Sequence, residues 1–401
     1  MVCYKRKVGL IMKSKNMIIL FISLIVVMMG YGIVMPVLPF YIESLGGRGI
    51  HYGLLISSYG LMQLIFAPIW GGLSDKYGRK PILLTGLTGM GIAMILLALA
   101  NKLWMLYLAQ ILSGMLSSAA IPAAQAYAGD CTTKEERGGA MGKIGGAIGI
   151  GVILGPGLGG LLASNSLSTP MYIASAFCFL TFLIILTCLP ESLSKKDMCK
   201  ATKIKFIQIK GLWQTLFTPI GFGLIIAFIS IFGQTMFSSI YGLYALERFS
   251  YGPEEIGTIL MAMSLMYALS QGLLAGPLTK RFGEAKTISM ALIGGVLGFL
   301  LMVLANSFFT IILAMSTFML VISLLKPSAL AYISKNTTSN QGKAMGIAES
   351  YMALGRIAGP LLAGMIFDIN MYYPFIAGSL IFFTGFIVTF RTGRLKSEIK
   401  I

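Results

Sequence analysis

Three charged side chains fall inside otherwise apolar stretches of this chain: Lys326, Glu349 and Arg356. A charge placed in hydrocarbon costs about 2.5–3.5 kcal/mol even on lenient scales, so such residues are functional candidates by default. Lys326 stands nine residues before Lys335, and Glu349 six after Lys343. At about 1.5 Å per helical residue, both lie roughly 9–14 Å inside the apolar region and can pair across neighbouring helices. Arg356, two turns beyond Glu349, shares its face and lies deeper. Glu349 is the one deep carboxylate, and the single histidine, His51, falls in a loop. The chemistry this set can do is charge compensation and proton carriage. No nucleophile, acid–base pair or metal-ligand spacing accompanies it, so catalytic residues, metal and cofactor are all expected to be absent.

The elements that must hold these charges are membrane helices. The chain has 401 residues, 56% hydrophobic and 11% charged, against a usual charged share of about 25%. Its mean hydropathy is +0.84. Charge-free runs are long enough to cross a hydrocarbon core of about 30 Å, which takes about 20 helical residues. They predict twelve helices at 16–42, 53–73, 82–101, 104–127, 141–163, 170–189, 217–244, 256–278, 287–306, 308–332, 344–366 and 372–390. The expected fold class is all-α, multi-pass, in a lipid bilayer. The first run is too long for a cleaved signal peptide and is expected to remain as helix one.

The net charge of +17 reports topology. With both termini cytoplasmic, 26 of the 31 basic residues fall on the inner side, and only Arg48, Lys102 and Arg248 on the outer. Such a bias sets orientation through the positive-inside rule. It leaves no case for nucleic acid as a partner. The five cysteines, at 3, 131, 178, 188 and 199, form no disulfide framework. Residues 191–211 are polar and lysine-rich, a cytoplasmic linker between the expected lobes 1–190 and 212–401.

Two motifs and a repeat organise the rest. The loop from Gly72 to Leu83 contains Asp75, Gly78, Arg79, Lys80 and Pro81. Gly78 supplies the tight turn, and Asp75 and Arg79 can pair at the membrane surface. From 142 to 160, the glycines Gly142, Gly146, Gly151, Gly155, Gly159 and Gly160, with Pro156, give one helix a strip without side chains. In lipid such a strip lets helix backbones approach closely. In helix one, Pro36 and Pro39 are expected to bend or break the hydrogen-bond ladder. Segments around Pro122, Gly142 and Gly155–Pro156 recur 204 or 205 residues later around Pro327, Gly346 and Gly359–Pro360. The 72–83 loop recurs in decayed form, with Lys280 where Asp75 stood. A period of half the chain implies a duplicated six-helix lobe with a binding site between the copies. Candidate substrate contacts are Tyr31, Tyr59, Gln63, Phe66, Gln110, Gln234, Ser238, Tyr241, Met266, Tyr267 and Gln271, because aromatic and Met side chains accept varied apolar shapes.

The 72–83 loop and the 142–160 strip resemble the signature loop and the antiporter motif of major facilitator superfamily drug:proton antiporters. Over nearly the whole chain the sequence is similar to multidrug efflux pumps of the Bmr/NorA type and, in its first half, to tetracycline antiporters. The resemblance implies two six-helix lobes, export of hydrophobic or amphipathic compounds, and protons as coupling ion. It also implies a conformational latch of Gly72, Asp75, Gly78, Arg79, Lys80 and Asp130. A dedicated exporter or flippase of one endogenous lipid or metabolite is the alternative. A plasma-membrane monomer is expected. Gln110, Ser238 and Ser323 stand where such pumps commonly carry charge, whereas Glu349 and Arg356 occupy positions that are usually neutral. The deep charges sum to +1, which disfavours lipophilic cations and favours neutral, zwitterionic or weakly anionic amphiphiles.

Overall fold

The computed structural model describes residues 2–133, 136–164, 166–193, 213–337 and 341–391, and these are helical with short connections. Among the described residues, twelve helices are long and apolar enough to cross a membrane. They are α1 (Asn16–Ser44), α2 (Gly49–Tyr77), α3 (Arg79–Ala98), α4 (Leu103–Cys131), α5 (Arg137–Ala163), α6 (Thr169–Cys188), α7 (Gly221–Phe249), α8 (Pro253–Phe282), α9 (Glu284–Leu304), α10 (Phe308–Lys335), α11 (Ala344–Phe367) and α12 (Tyr373–Phe390). Several run a turn beyond their apolar runs, because Lys, Arg, Asp and Glu at the ends stay helical while reaching the polar boundary. The 191–211 linker lies outside the described residues except for Glu191, Ser192 and Leu193.

The helix breaks lie at other prolines than Pro36 and Pro39. Helix α1 continues through Pro36 and Pro39 to Ser44, whereas α4 is interrupted between Ser117 and Ala120 and α10 between Ile322 and Leu325. The two breaks are 205 residues apart. Each lies just ahead of the repeated proline, Pro122 or Pro327, whose ring crowds the carbonyl four residues back and which has no N–H to donate. That carbonyl belongs to Ser118 in one copy and Ser323 in the other. Helix α8 carries a π-helical turn at Ser270–Leu274.

By contacts the chain divides into two units. The first comprises 1–41, 61–206 and 252–257; the second comprises 42–60, 207–251 and 258–401. In the first, the glycines of α5 lie on α1. A methyl on Gly155 would fall 2.7 Å from the Cα of Gly32 and from the Met29 carbonyl oxygen, and one on Gly151 2.6 Å from the Ile25 carbonyl oxygen. Close backbone approach explains glycine there. The strip is not uniformly close-packed: nothing lies within 4 Å of such a methyl on Gly142 or Gly146. In the second unit, Phe237 stacks on Phe318 at 4.0 Å and meets Phe299 and Phe375 edge-on, which knits α7, α9, α10 and α12 into an aromatic core.

A candidate transport site and its inner latch

The 72–83 turn builds an ion-pair set around one buried guanidinium. Gly78, at φ 104°, makes a bend that a side chain would strain, and it aims Arg79 back across α2. Arg79 Nη1 donates to the Asp75 carboxylate and, at 2.7 Å, to Ser74 Oγ; its Nε donates to Asp130 Oδ2 at 3.1 Å. The Arg79 side chain is 9% exposed, against 55% for Asp75. One residue unforeseen in the sequence completes the set. Glu191 accepts hydrogen bonds from the backbone N–H of Arg79 at 2.8 Å and of Lys80 at 3.0 Å, capping the start of α3. Ser192 Oγ donates to Asp130 Oδ2 at 2.9 Å. Lys80 Nζ donates to the Leu186 carbonyl oxygen at 2.8 Å. Gly72 stands one turn earlier in α2.

The second half repeats this geometry with the charges exchanged. Gly283 has φ 79°, in the same left-handed range as Gly78, and Lys335 Nζ lies 3.5 Å from Glu284 Oε2. A shift of 205 residues maps Arg79 onto Glu284, Asp130 onto Lys335 and Asp75 onto Lys280. Every sign is inverted. The decayed copy of the 72–83 loop is legible in the sequence as far as Gly283, and Glu284 lies one residue beyond it.

The intramembrane charges pair differently from the expectation. Glu349 Oε1 contacts Arg356 Nη2 at 3.5 Å, along one face of α11, and this pair replaces the one expected with Lys326. Seven residues separate the two, and 3.6 residues per turn puts them on one stripe, whereas Lys326 must reach from another helix. Lys326 remains within electrostatic reach of both. The Glu349 side chain is 59% exposed and Arg356 29%, so the pair is accessible. Nearby, Gln271 Nε2 donates to Tyr267 Oη at 3.4 Å. Ser323 Oγ donates to Ser270 Oγ at 2.6 Å, joining the break in α10 to the π-turn of α8. Irregular backbone at membrane depth is tolerated only where such partners satisfy it.

The candidate contact residues separate by burial. Tyr31, Gln63, Phe66, Gln234, Ser238, Met266, Tyr267 and Gln271 are partly exposed, whereas Tyr59 and Gln110 are buried at 5%. Tyr241 is 0% exposed. It packs inside the second unit, whereas the sequence placed it among the substrate contacts. No group of three or more His, Cys, Asp or Glu residues suited to a metal exists among the described residues.

The chain matches the Major Facilitator Superfamily family model over residues 20–222 and 223–400. It is 30% identical over 375 residues to Multidrug resistance protein 2 of Bacillus subtilis, covering 93% of this chain and 94% of that one. Over 389 residues it is 27% identical to the Quinolone resistance protein NorA of Staphylococcus aureus, covering 96% and 99%. Among solved structures, the nucleoside transporter NupG superposes with a TM-score of 0.80 at 14% identity, covering 94% of this chain and 99% of that one. A bacterial homologue of the lysosomal transporter Spinster reaches 0.78 at 13%, covering 96% and 97%. With a multi-pass helical fold, two duplicated halves and these matches along its length, the chain belongs to the Major Facilitator Superfamily of membrane transporters and is not an enzyme.

Proposed function

We propose that this protein exports amphipathic compounds across the plasma membrane by alternating access, in exchange for inward-moving protons, with both termini cytoplasmic. The observation that carries the reading is the accessible Glu349–Arg356 pair with Lys326 in range, in a chain whose relatives are named for multidrug and quinolone resistance. Orientation follows from the positive-inside bias, which puts the 72–83 loop inside. Glu349 carries the coupling proton: it takes the proton when its contact to Arg356 opens and gives it up when the contact re-forms. Asp75, Arg79 and Asp130 act as the inner latch, because Asp75 is the exposed member of a set whose other charges are held. Lobes 1–190 and 212–401 move as the two halves, and the protein works as a monomer.

The three deep charges sum to +1 with Glu349 ionised and +2 with it protonated. A cavity of either charge favours neutral, zwitterionic or weakly anionic amphiphiles, such as phenicol- or tetracycline-like compounds, over lipophilic cations. The test is transport by purified protein in proteoliposomes with imposed pH and potential gradients. Uphill movement of a phenicol driven by a pH gradient supports the reading; no movement under any gradient overturns it.

A further inference from the structure

At the end of the helices remote from the 72–83 loop, two glycine crossings are related by the internal repeat. Gly53 of α2 lies on α11, where an added methyl would meet Gly364 Cα at 3.2 Å; Gly160 of α5 lies on α8, where it would meet Gly257 Cα at 3.0 Å. A shift of 204 residues turns Gly53 into Gly257 and Gly160 into Gly364, so the two crossings are copies. Their polar contacts are not. In the α2–α11 copy, Asp368 Oδ1 accepts from the N–H of Gly49 at 2.7 Å and Oδ2 from the N–H of Ile50 at 3.0 Å. Two turns along, Ser57 Oγ donates to the Ile357 carbonyl oxygen at 2.7 Å. In the other copy the equivalents of Gly49, Ser57 and Asp368 are Pro253, Met261 and Ser164. Proline has no N–H, methionine no hydroxyl, and serine no charge.

The geometry points to Asp368 as an outer clasp: an exposed carboxylate at the end of α11 that caps the start of α2, where Gly49 is buried, and holds the outer half of α2 docked. The inference rests on the alternating-access reading, in which this crossing must open once per cycle. Charge-assisted bonds to a helix start are about twice as strong as neutral ones and depend on the aligned N–H groups there. The clasp is also reversible. Asp368 borders an open cavity of about 400 Å³ shared with Glu43, Glu247 and Arg48, so water reaches the carboxylate when the crossing parts, the two acids repel it and Arg48 offers it an alternative partner. Gly49 permits the approach, since a methyl there would fall 2.8 Å from Asp368 Oδ1. Of two copied crossings, one carries a clasp and the other opens without one.

The experiment uses Ser57→Cys as a reporter, at a position 5% exposed while the crossing is closed, in a full-length chain whose native cysteines are replaced. It follows labelling by a membrane-impermeant maleimide from outside, alongside phenicol transport. Asp368→Asn is expected to raise the labelling rate on the order of tenfold, the factor for losing one charge-assisted contact, and to change KM and kcat in unequal proportion. Asp368→Glu restores slow labelling, which a purely structural loss does not explain. Asp368→Asn labelled at the parent rate, with normal yield and melting, overturns the clasp while leaving export intact. A reporter protein that transports nothing, or whose labelling at position 57 never responds to substrate or gradient, overturns the export reading and the clasp with it. If Asp368→Asn fails to fold, Asp368→Ser, which puts in the residue that the other copy carries as Ser164, replaces it: faster labelling supports the clasp and unchanged labelling overturns it.

Discussion

Arg79 holds two carboxylates and a hydroxyl with one buried guanidinium, so the charge it takes from Asp75 is separable from the fold. With Asp75→Asn, Asp130 and Ser74 still hold the buried Arg79, and the charge removed is the exposed member of the pair, so the loss in stability is on the order of 1 kcal/mol. The variant is expected to insert and melt within a few degrees of the parent yet lose transport; full export by it would remove Asp75 from the latch. Glu191 makes the opposite case. Its two bonds to the start of α3 are a helix cap, and Glu191→Ala should cost about 0.5–2 kcal/mol in thermal or denaturant unfolding. At Glu349 the expected outcome of Glu349→Gln is retained substrate binding with loss of the pH-driven component. Pumping that still follows an imposed pH gradient as in the parent would take the proton away from Glu349.

Helix α5 is two surfaces in one element. From Gly151 to Gly160 its glycines lie against backbone atoms of α1 and α8, whereas Gly142 and Gly146 face open space. Overpacking such a contact costs about 1–3 kcal/mol or more, because backbone atoms cannot step aside as a flexible side chain can. Gly155→Leu is therefore expected to abolish transport and lower the yield of folded protein, while Gly142→Leu leaves the fold intact. Normal transport by Gly155→Leu would show that the α1–α5 contact opens freely. The breaks in α4 and α10 belong to the same scale. Each leaves carbonyls without helical partners, and in the second half Ser270 Oγ of α8 donates to the Leu320 carbonyl oxygen at 2.5 Å, so a neighbouring hydroxyl takes up part of that deficit.

For the whole molecule, the proposed selectivity rests on the sign of the deep charge. Lys326, Glu349 and Arg356 leave a net positive charge in a medium of low dielectric, where it acts over several ångströms. In cells lacking other pumps, a neutral phenicol is expected to be exported at least tenfold more effectively than ethidium, on the order of one charge–charge contact. Robust ethidium efflux that Glu349→Gln abolishes would show a cation site and reverse the assignment. The exchanged signs of Arg79–Asp130 and Glu284–Lys335 show that duplication preserved a position for an ion pair and not the identity of its members.

Twelve helices, the duplication and the family were legible in the sequence because each rests on local or periodic information: apolar run length, spacing of glycines and prolines, and collinear repeats. The Asp75–Arg79 pair was legible for the same reason, since four residues of helix and a glycine turn bring the two together. Glu191 and Asp368 were not. Each caps a helix start more than a hundred residues away in the chain, and no pattern of neighbours announces which helix start a carboxylate will reach. The partner of Glu349 was likewise a tertiary decision between Arg356 on its own helix and Lys326 on another, because the rotation of α11 against α10 sets which cation makes direct contact. So was the fate of Tyr241, which sits at 0% exposure. In a helix as largely apolar as α7, hydrophobicity alone does not separate the face that packs from the face that meets lipid or substrate, and the neighbours of α7 make that choice.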